Sequence, residues 1–167
     1  MVINDNLNKY THLDLGREIT DLNEIQHRFS LVAIKDTFNE HPNRFLLYYD
    51  ERWDCKFFFS YKTVDNDEEN IKNRLSHELK INSSQISTEF KTEKIQKKFS
   101  VSHNEDRVYD HRVYYAEISE YKDNITKDEF EIDGKKFFWM TIQQMERDKR
   151  IAEINSDVIG LIKGVIG

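Results

Sequence analysis

The chain reads as an α/β (α+β) protein, a mixed β-sheet sandwiched between helices, and three observations carry that expectation. Aromatic residues make up 13%, with 11 Phe and 8 Tyr, and flat rings pack well on half-buried pleated faces. Strand signals fill two stretches, about 29–61 and 85–141. One run with a helical period separates them and a second helical region closes the chain, an order that sandwiches a sheet between helices.

The elements follow in order. Ile19 to Arg28 reads as a short helix or linker, so residues 1–28 are set apart from a domain spanning 29–167. Phe29 to Phe38 reads as a strand, ended by a turn over Asn39-Glu40-His41-Pro42-Asn43. Arg44 to Asp50 and Lys56 to Tyr61 form a hairpin pair around Asp50–Asp54. From Asp67 to Lys80 the period becomes helical, with Ile71, Leu75 and Leu79 on one stripe and Asp65, Asp67, Glu68 and Glu69 crowding the start. Strands resume at Gln85–Lys91, Lys94–Ser102 and Arg107–Glu120, with a turn at Asn104-Glu105-Asp106. A further hairpin spans Glu129–Thr141 around Asp133-Gly134. Thr141 caps a helix beginning at Ile142, and a last helix starts near Asn155 with Asp157 close to its start. That tail is too apolar for a free surface helix, so it packs on the sheet or on a second copy, which would make a homodimer.

Composition narrows the function classes. A length of 167 residues suits one domain with a full core. The net charge of −6 argues against a nucleic-acid polymer as partner. Lys91, Lys94, Lys97 and Lys98 read instead as a solvated strand edge. The single cysteine, Cys55, excludes an intrachain disulfide and suits a reducing cytosol. The N-terminus has no basic-then-apolar leader. The apolar tail is shorter than the roughly 20 residues of a spanning helix. A cytoplasmic chain with no membrane segment is the expectation.

The stretch Phe59 to Ile81, FSYKTVDNDEENIKNRLSHELKI, resembles the signature segment of Nudix hydrolases. There a glycine, five residues, a glutamate, seven residues and then Arg-Glu-apolar-any-Glu-Glu-any-Gly-apolar lead from a strand into a catalytic helix. Leu75, Glu78 and Ile81 match that pattern, and Asp65 takes the early glutamate. Arg74 and His77 replace two of the three helix carboxylates, while Phe59 and Lys80 replace the glycines. The later segments HRVYYAEI, from His111, and FFWMT, from Phe137, resemble the family's central and late strands, and the pattern covers about 29–163. Among its members the glycine-poor, strand-rich style is similar to the SMODS-associated Nudix domains of bacterial anti-phage systems, proposed to sense a nucleotide.

Positions i, i+3 and i+4 share one helix flank. In the family, carboxylates there hold Mg²⁺ beside a diphosphate. The resemblance therefore implies Glu78 as the surviving catalytic and metal-ligating carboxylate, and in an active enzyme the nearby Asp65, Glu68 or Glu69 would add oxygen donors to Mg²⁺. Read as side chains alone, Glu78 equally suits an exposed helix carboxylate paired with Arg74. Arg74 and His77 suit phosphate, as a planar fork and a switchable cation, or else a solvated helix face. Tyr61, with Tyr48, Tyr49 and Phe57–Phe59, includes candidates for stacking on a base, although alternation sends most of them to the core. His103, Asp106, Asp110 and His111 are metal-like in type but match no metal spacing and straddle a turn. Cys55 has no neighbour that would make it a nucleophile.

Three functions follow. The leading one is a Nudix-fold nucleotide-binding domain of the sensor type with weak or absent hydrolysis, its partner a nucleotide or nucleotide-derived small molecule. The second is an active Mg²⁺-dependent pyrophosphohydrolase of nucleoside diphosphates linked to a variable group. The third is a protein-interaction or dimerisation module using the apolar tail.

Overall fold

Alternating aromatic and aliphatic runs form seven strands in the computed structural model, which describes residues 27–39, 43–100 and 104–166. They are β1 (His27–Ile34), β2 (Arg44–Asp50), β3 (Cys55–Lys62), β4 (Ile86–Ser100), β5 (Glu105–Ile118), β6 (Glu129–Ile132) and β7 (Lys135–Thr141). Among the described residues three α-helices accompany them: α1 (Asp67–Leu79), α2 (Ile142–Arg147) and α3 (Lys149–Val165). The strands join one mixed sheet in the order β4-β5-β1-β3-β2-β7-β6. The expected α+β architecture is the one observed.

Contacts divide the chain into two units. The larger comprises Ser30–Thr92 and Arg112–Gly167, and all seven strands contribute to it. Its sheet buries side chains on both faces. On one, Val32, Leu46, Phe59 and Trp139 pack against the α1 stripe of Ile71, Leu75 and Leu79. On the other, Ala33, Phe45, Leu47 and Phe58 pack against Met145 of α2 and Val158, Ile159 and Ile162 of α3. The apolar tail is thus accounted for on the sheet. β1 shows the arrangement directly, since Leu31 and Ala33 lie in one core and Val32 and Ile34 in the other. Each fully buried aliphatic side chain contributes about 2 kcal/mol.

Local chemistry sets the ends of the elements. Asn66 at the start of α1 makes no side-chain cap. Instead the buried carboxylate of Asp67 accepts from the Val64 amide and, at 2.5 Å, from the Ser30 hydroxyl of β1. The Tyr114 phenol of β5 bonds the same carboxylate. At the other end Lys80 takes the left-handed conformation, φ 59°, and its amide and that of Ile81 both return to the Ser76 carbonyl. This position matches the family's closing glycine, and a lysine keeps the glycine-like backbone. The turn therefore does not need the missing glycine. Thr141 forms the expected cap of α2, reciprocated by Gln144.

Several boundaries differ from expectation, and β5 already begins at Glu105, inside the turn expected over Asn104-Glu105-Asp106. β4 is a single strand of 15 residues rather than two, because Thr92 and Glu93, which read as a break, stay in the ladder. The last helix begins at Lys149, capped by Asp148, and Asn155 is a kink inside it with φ −132°. β1 stops at Ile34, four residues short of Phe38, because the Asp36 carboxylate binds the amides of Phe38 and Asn39 and turns the chain. Asp36 also holds Arg44, whose guanidinium reaches on to Asp128 at 2.7 Å. The Pro42 turn and most of the Ile19–Arg28 segment lie outside the described residues.

In the smaller unit the structure describes 27–29, 93–100 and 104–111. The rings of Tyr109 and His111 stack there, with His27 5.4 Å from Tyr109. Val108 and Asp110 are buried. His103 lies outside the described residues, and Asp106 faces Lys97 at 3.9 Å. No helix among the described residues is long and apolar enough to cross a membrane.

Candidate functional site

The C-terminal half of α1 borders a cleft of about 650 Å³ in the larger unit. Three pieces of chain build it. The flank of α1 supplies Arg74, His77 and Glu78, the i, i+3, i+4 set. The β2–β3 hairpin supplies Tyr48, Tyr49, Phe59 and Tyr61, with Asp50–Arg52 at its turn. The β6–β7 hairpin supplies Asp133, Gly134, Lys135 and Lys136. Asp133 and Gly134 both take positive φ, 51° and 81°, the conformation of a tight two-residue hairpin. That turn lets Lys135 enter the cleft at the start of β7.

Glu78 is at its centre. Tyr61 donates its phenol hydrogen to one Glu78 oxygen. Lys135 Nζ lies 2.5 Å from the other. The same ammonium stands 4.4 Å above the Tyr48 ring, and the Arg74 guanidinium stands 4.8 Å above the Tyr61 ring. Burial, followed by the charge of Glu78 and its hydrogen bond, drives the Tyr61 phenol well above its ordinary pKa. Burial, with Asp50 and Glu78 nearby, pushes Tyr48 up to about 12. Both phenols therefore act as neutral hydrogen-bonding groups at any physiological pH.

Carboxylates at the mouth are mostly engaged. Asp50 is forked by Arg52 at 2.8 Å, and Asp133 pairs with Lys80 at 3.0 Å. Arg74 and His77 have no carboxylate partner among the described residues.

Four predicted residues thus meet in one cleft: Tyr61, Arg74, His77 and Glu78. Arg74 and Glu78 each engage Tyr61, and Glu78 takes Lys135, 57 residues on, as its ion-pair partner. Asp65 and Glu69 are exposed at the opposite end of α1 and are absent from the cleft lining. Glu68 bonds Thr88. No group of three or more His, Cys, Asp or Glu among the described residues is gathered to hold a metal. The donor set at Glu78 does not fit Mg²⁺, which takes near-octahedral oxygen ligands. Glu78 already accepts from Lys135 and Tyr61, its helix neighbours are an arginine and a histidine, and Asp50 and Asp133 of the lining are paired with Arg52 and Lys80.

Lys135 is the residue sequence reasoning missed. Its only local signal was the Asp133-Gly134 turn just before it, which says where the chain reverses and nothing about what faces Glu78. Cys55 is buried, and burial raises its thiol pKa, so it remains protonated.

No family profile matches the sequence, and no curated protein matches it. Solved structures do match by shape. An Ap4A hydrolase of C. elegans aligns over 84% of this chain and 98% of its own length, with TM-score 0.50 and 9% identity. A NUDIX family hydrolase from Clostridium perfringens aligns over 82% and 98%, with TM-score 0.47 and 14% identity. At such identities the likeness concerns the fold. Joined to the sheet order, the helices on both faces and the cleft beside α1, it establishes the architecture of this chain as a Nudix-like fold.

Proposed function

We propose that the chain is a nucleotide-binding domain of the sensor type, taking a phosphate-bearing nucleotide or nucleotide derivative beside α1, with weak or absent hydrolysis. The observation that carries this reading is the state of Glu78. A carboxylate engaged by an ammonium and a phenol is less free to serve a metal or a water, and here both hold it. The side chains left for a ligand are cations. Arg74 rests on the Tyr61 face, which props its planar fork without using its hydrogen-bond donors. His77 lies one turn on, on the same flank of the cleft.

In this reading phosphate oxygens meet Arg74 and His77, and the Tyr48–Tyr49 side of the cleft receives the uncharged part of the ligand. The similarity to the SMODS-associated domains adds a setting, anti-phage signalling, and a nucleotidyltransferase gene adjacent to this one is its direct check.

Thermal unfolding with a panel of nucleoside diphosphates and their derivatives tests the proposal. A ligand bound only by the folded state raises the melting temperature by mass action. We expect stabilisation without release of phosphate or nucleoside monophosphate. Arg74→Ala should weaken binding roughly tenfold or more, the worth of a charged hydrogen bond. Mg²⁺-dependent turnover that disappears in Glu78→Gln would instead establish a hydrolase and overturn the sensor reading.

A further inference from the structure

We infer that Lys135 supplies, as part of the chain, the positive charge that a divalent cation would otherwise bring to this cleft, so that phosphate binding here needs no metal. The inference rests on the nucleotide-binding reading above and adds the residue that sets its metal requirement. Lys135 Nζ is 2.5 Å from Glu78 Oε1 and stands 4.4 Å above the Tyr48 ring. It is thereby fixed between a carboxylate and a π face. Its side chain is 38% exposed against 18% for Glu78, so the lysine is the more open member of the pair. An ammonium has three donors, and one of them serves Glu78. The other two are available to an oxyanion in the cleft. Tyr61 satisfies the second Glu78 oxygen, so a phenol and an ammonium already compete with any hard cation for this carboxylate. Arg74 lies on the same wall and brings the ligand a second cation, while Asp50 and Asp133 of the lining are occupied by Arg52 and Lys80.

Calorimetry of the full chain with ADP and with inorganic pyrophosphate, each in EDTA and in Mg²⁺, tests this. We expect the Kd of each probe in EDTA to stay within about threefold of its value in Mg²⁺, since a resident charge is indifferent to chelation. Lys135→Met should lose tenfold or more in EDTA, and Lys135→Arg should recover most of it, as the loss and return of one charged hydrogen bond. Wild-type binding that appears only with Mg²⁺ overturns the inference while leaving nucleotide binding intact. Absence of binding under both conditions overturns the nucleotide reading itself, and this inference with it. Unchanged affinity in Lys135→Met also overturns it. Should that variant fail to fold, the wild-type comparison in EDTA decides the question alone. Titration of the wild type with Mn²⁺ alone, read by electron paramagnetic resonance, gives a second measurement. The ion should stay free, and a bound Mn²⁺ signal abolished by Glu78→Gln overturns the inference.

Discussion

Lys80 shows how a single residue can keep a backbone shape after losing the side chain best suited to it. Its φ of 59° costs an L-residue roughly 1 kcal/mol relative to glycine. Its exposed pair with Asp133 returns only a few tenths, as such pairs do. Lys80→Gly should therefore raise stability by about 0.5–1 kcal/mol, read as a higher urea midpoint with an unchanged slope. A loss of stability would show that the lysine's contacts outweigh the backbone strain. The residue scale is also where the sequence was most and least informative. Arg74, His77 and Glu78 could be placed on one flank because helical spacing is a local property. Lys135 could not, because its meeting with Glu78 depends on β7 being laid beside β2, a long-range event with no local trace.

At the scale of the element, α1 is fixed at its start by one buried group. Asp67 gathers Ser30 from β1, Tyr114 from β5 and the amide of Val64. Removing the carboxylate leaves these donors without their acceptor, at a cost of about 1–3 kcal/mol for each group that water cannot reach. Asp67→Ala should lower stability by about 3 kcal/mol in urea unfolding. Ser30→Ala, which removes only one donor, should cost less than half as much. Equal losses would mean that the carboxylate acts through Ser30 alone. The acidic crowd at the helix start was visible in the sequence, but not which member would turn inward. Four carboxylates within five residues look alike until the sheet supplies a hydroxyl and a phenol for one of them. β4 was misread as two strands for a similar reason, since pairing with a neighbour carries the ladder through a polar pair that ends it by pattern. The kink at Asn155 likewise sits where the sequence suggested a beginning.

For the whole molecule, buried phenols tie stability to alkaline pH. Tyr48 is raised to about 12, and Tyr61, Tyr114 and Tyr115 are also raised, each chiefly by burial. An unfolded tyrosine ionises near 10. Above that pH the unfolded chain has released protons the folded chain still holds, so unfolding becomes progressively favoured. The stabilisation is fully present below pH 10 and for Tyr48 is lost by about pH 12. A pH titration should show phenolate absorbance from these residues rising together with loss of the folded circular dichroism signal. Phenolate formation at Tyr48 or Tyr61, followed residue by residue by NMR in a chain that stays folded at pH 10, would contradict the burial. The fold class was legible because two strand groups around one helix leave few layered solutions. The two-faced burial of the sheet was legible only in part, since β1 is apolar on both sides and alternation cannot say which partner covers which.

The chain's two indoles lie in opposite settings. Trp139 is buried and donates its Nε1 hydrogen to the Ile125 carbonyl. Trp53 is 52% exposed on the turn whose other residues, Asp50 to Arg52, edge the cleft. Intrinsic fluorescence should therefore contain two separable populations. A red-shifted one would be open to acrylamide quenching and sensitive to occupancy nearby, and a blue-shifted one would be silent until the core opens. The molecule carries its own optical reporters, one beside the cleft and one in the core, with no label attached.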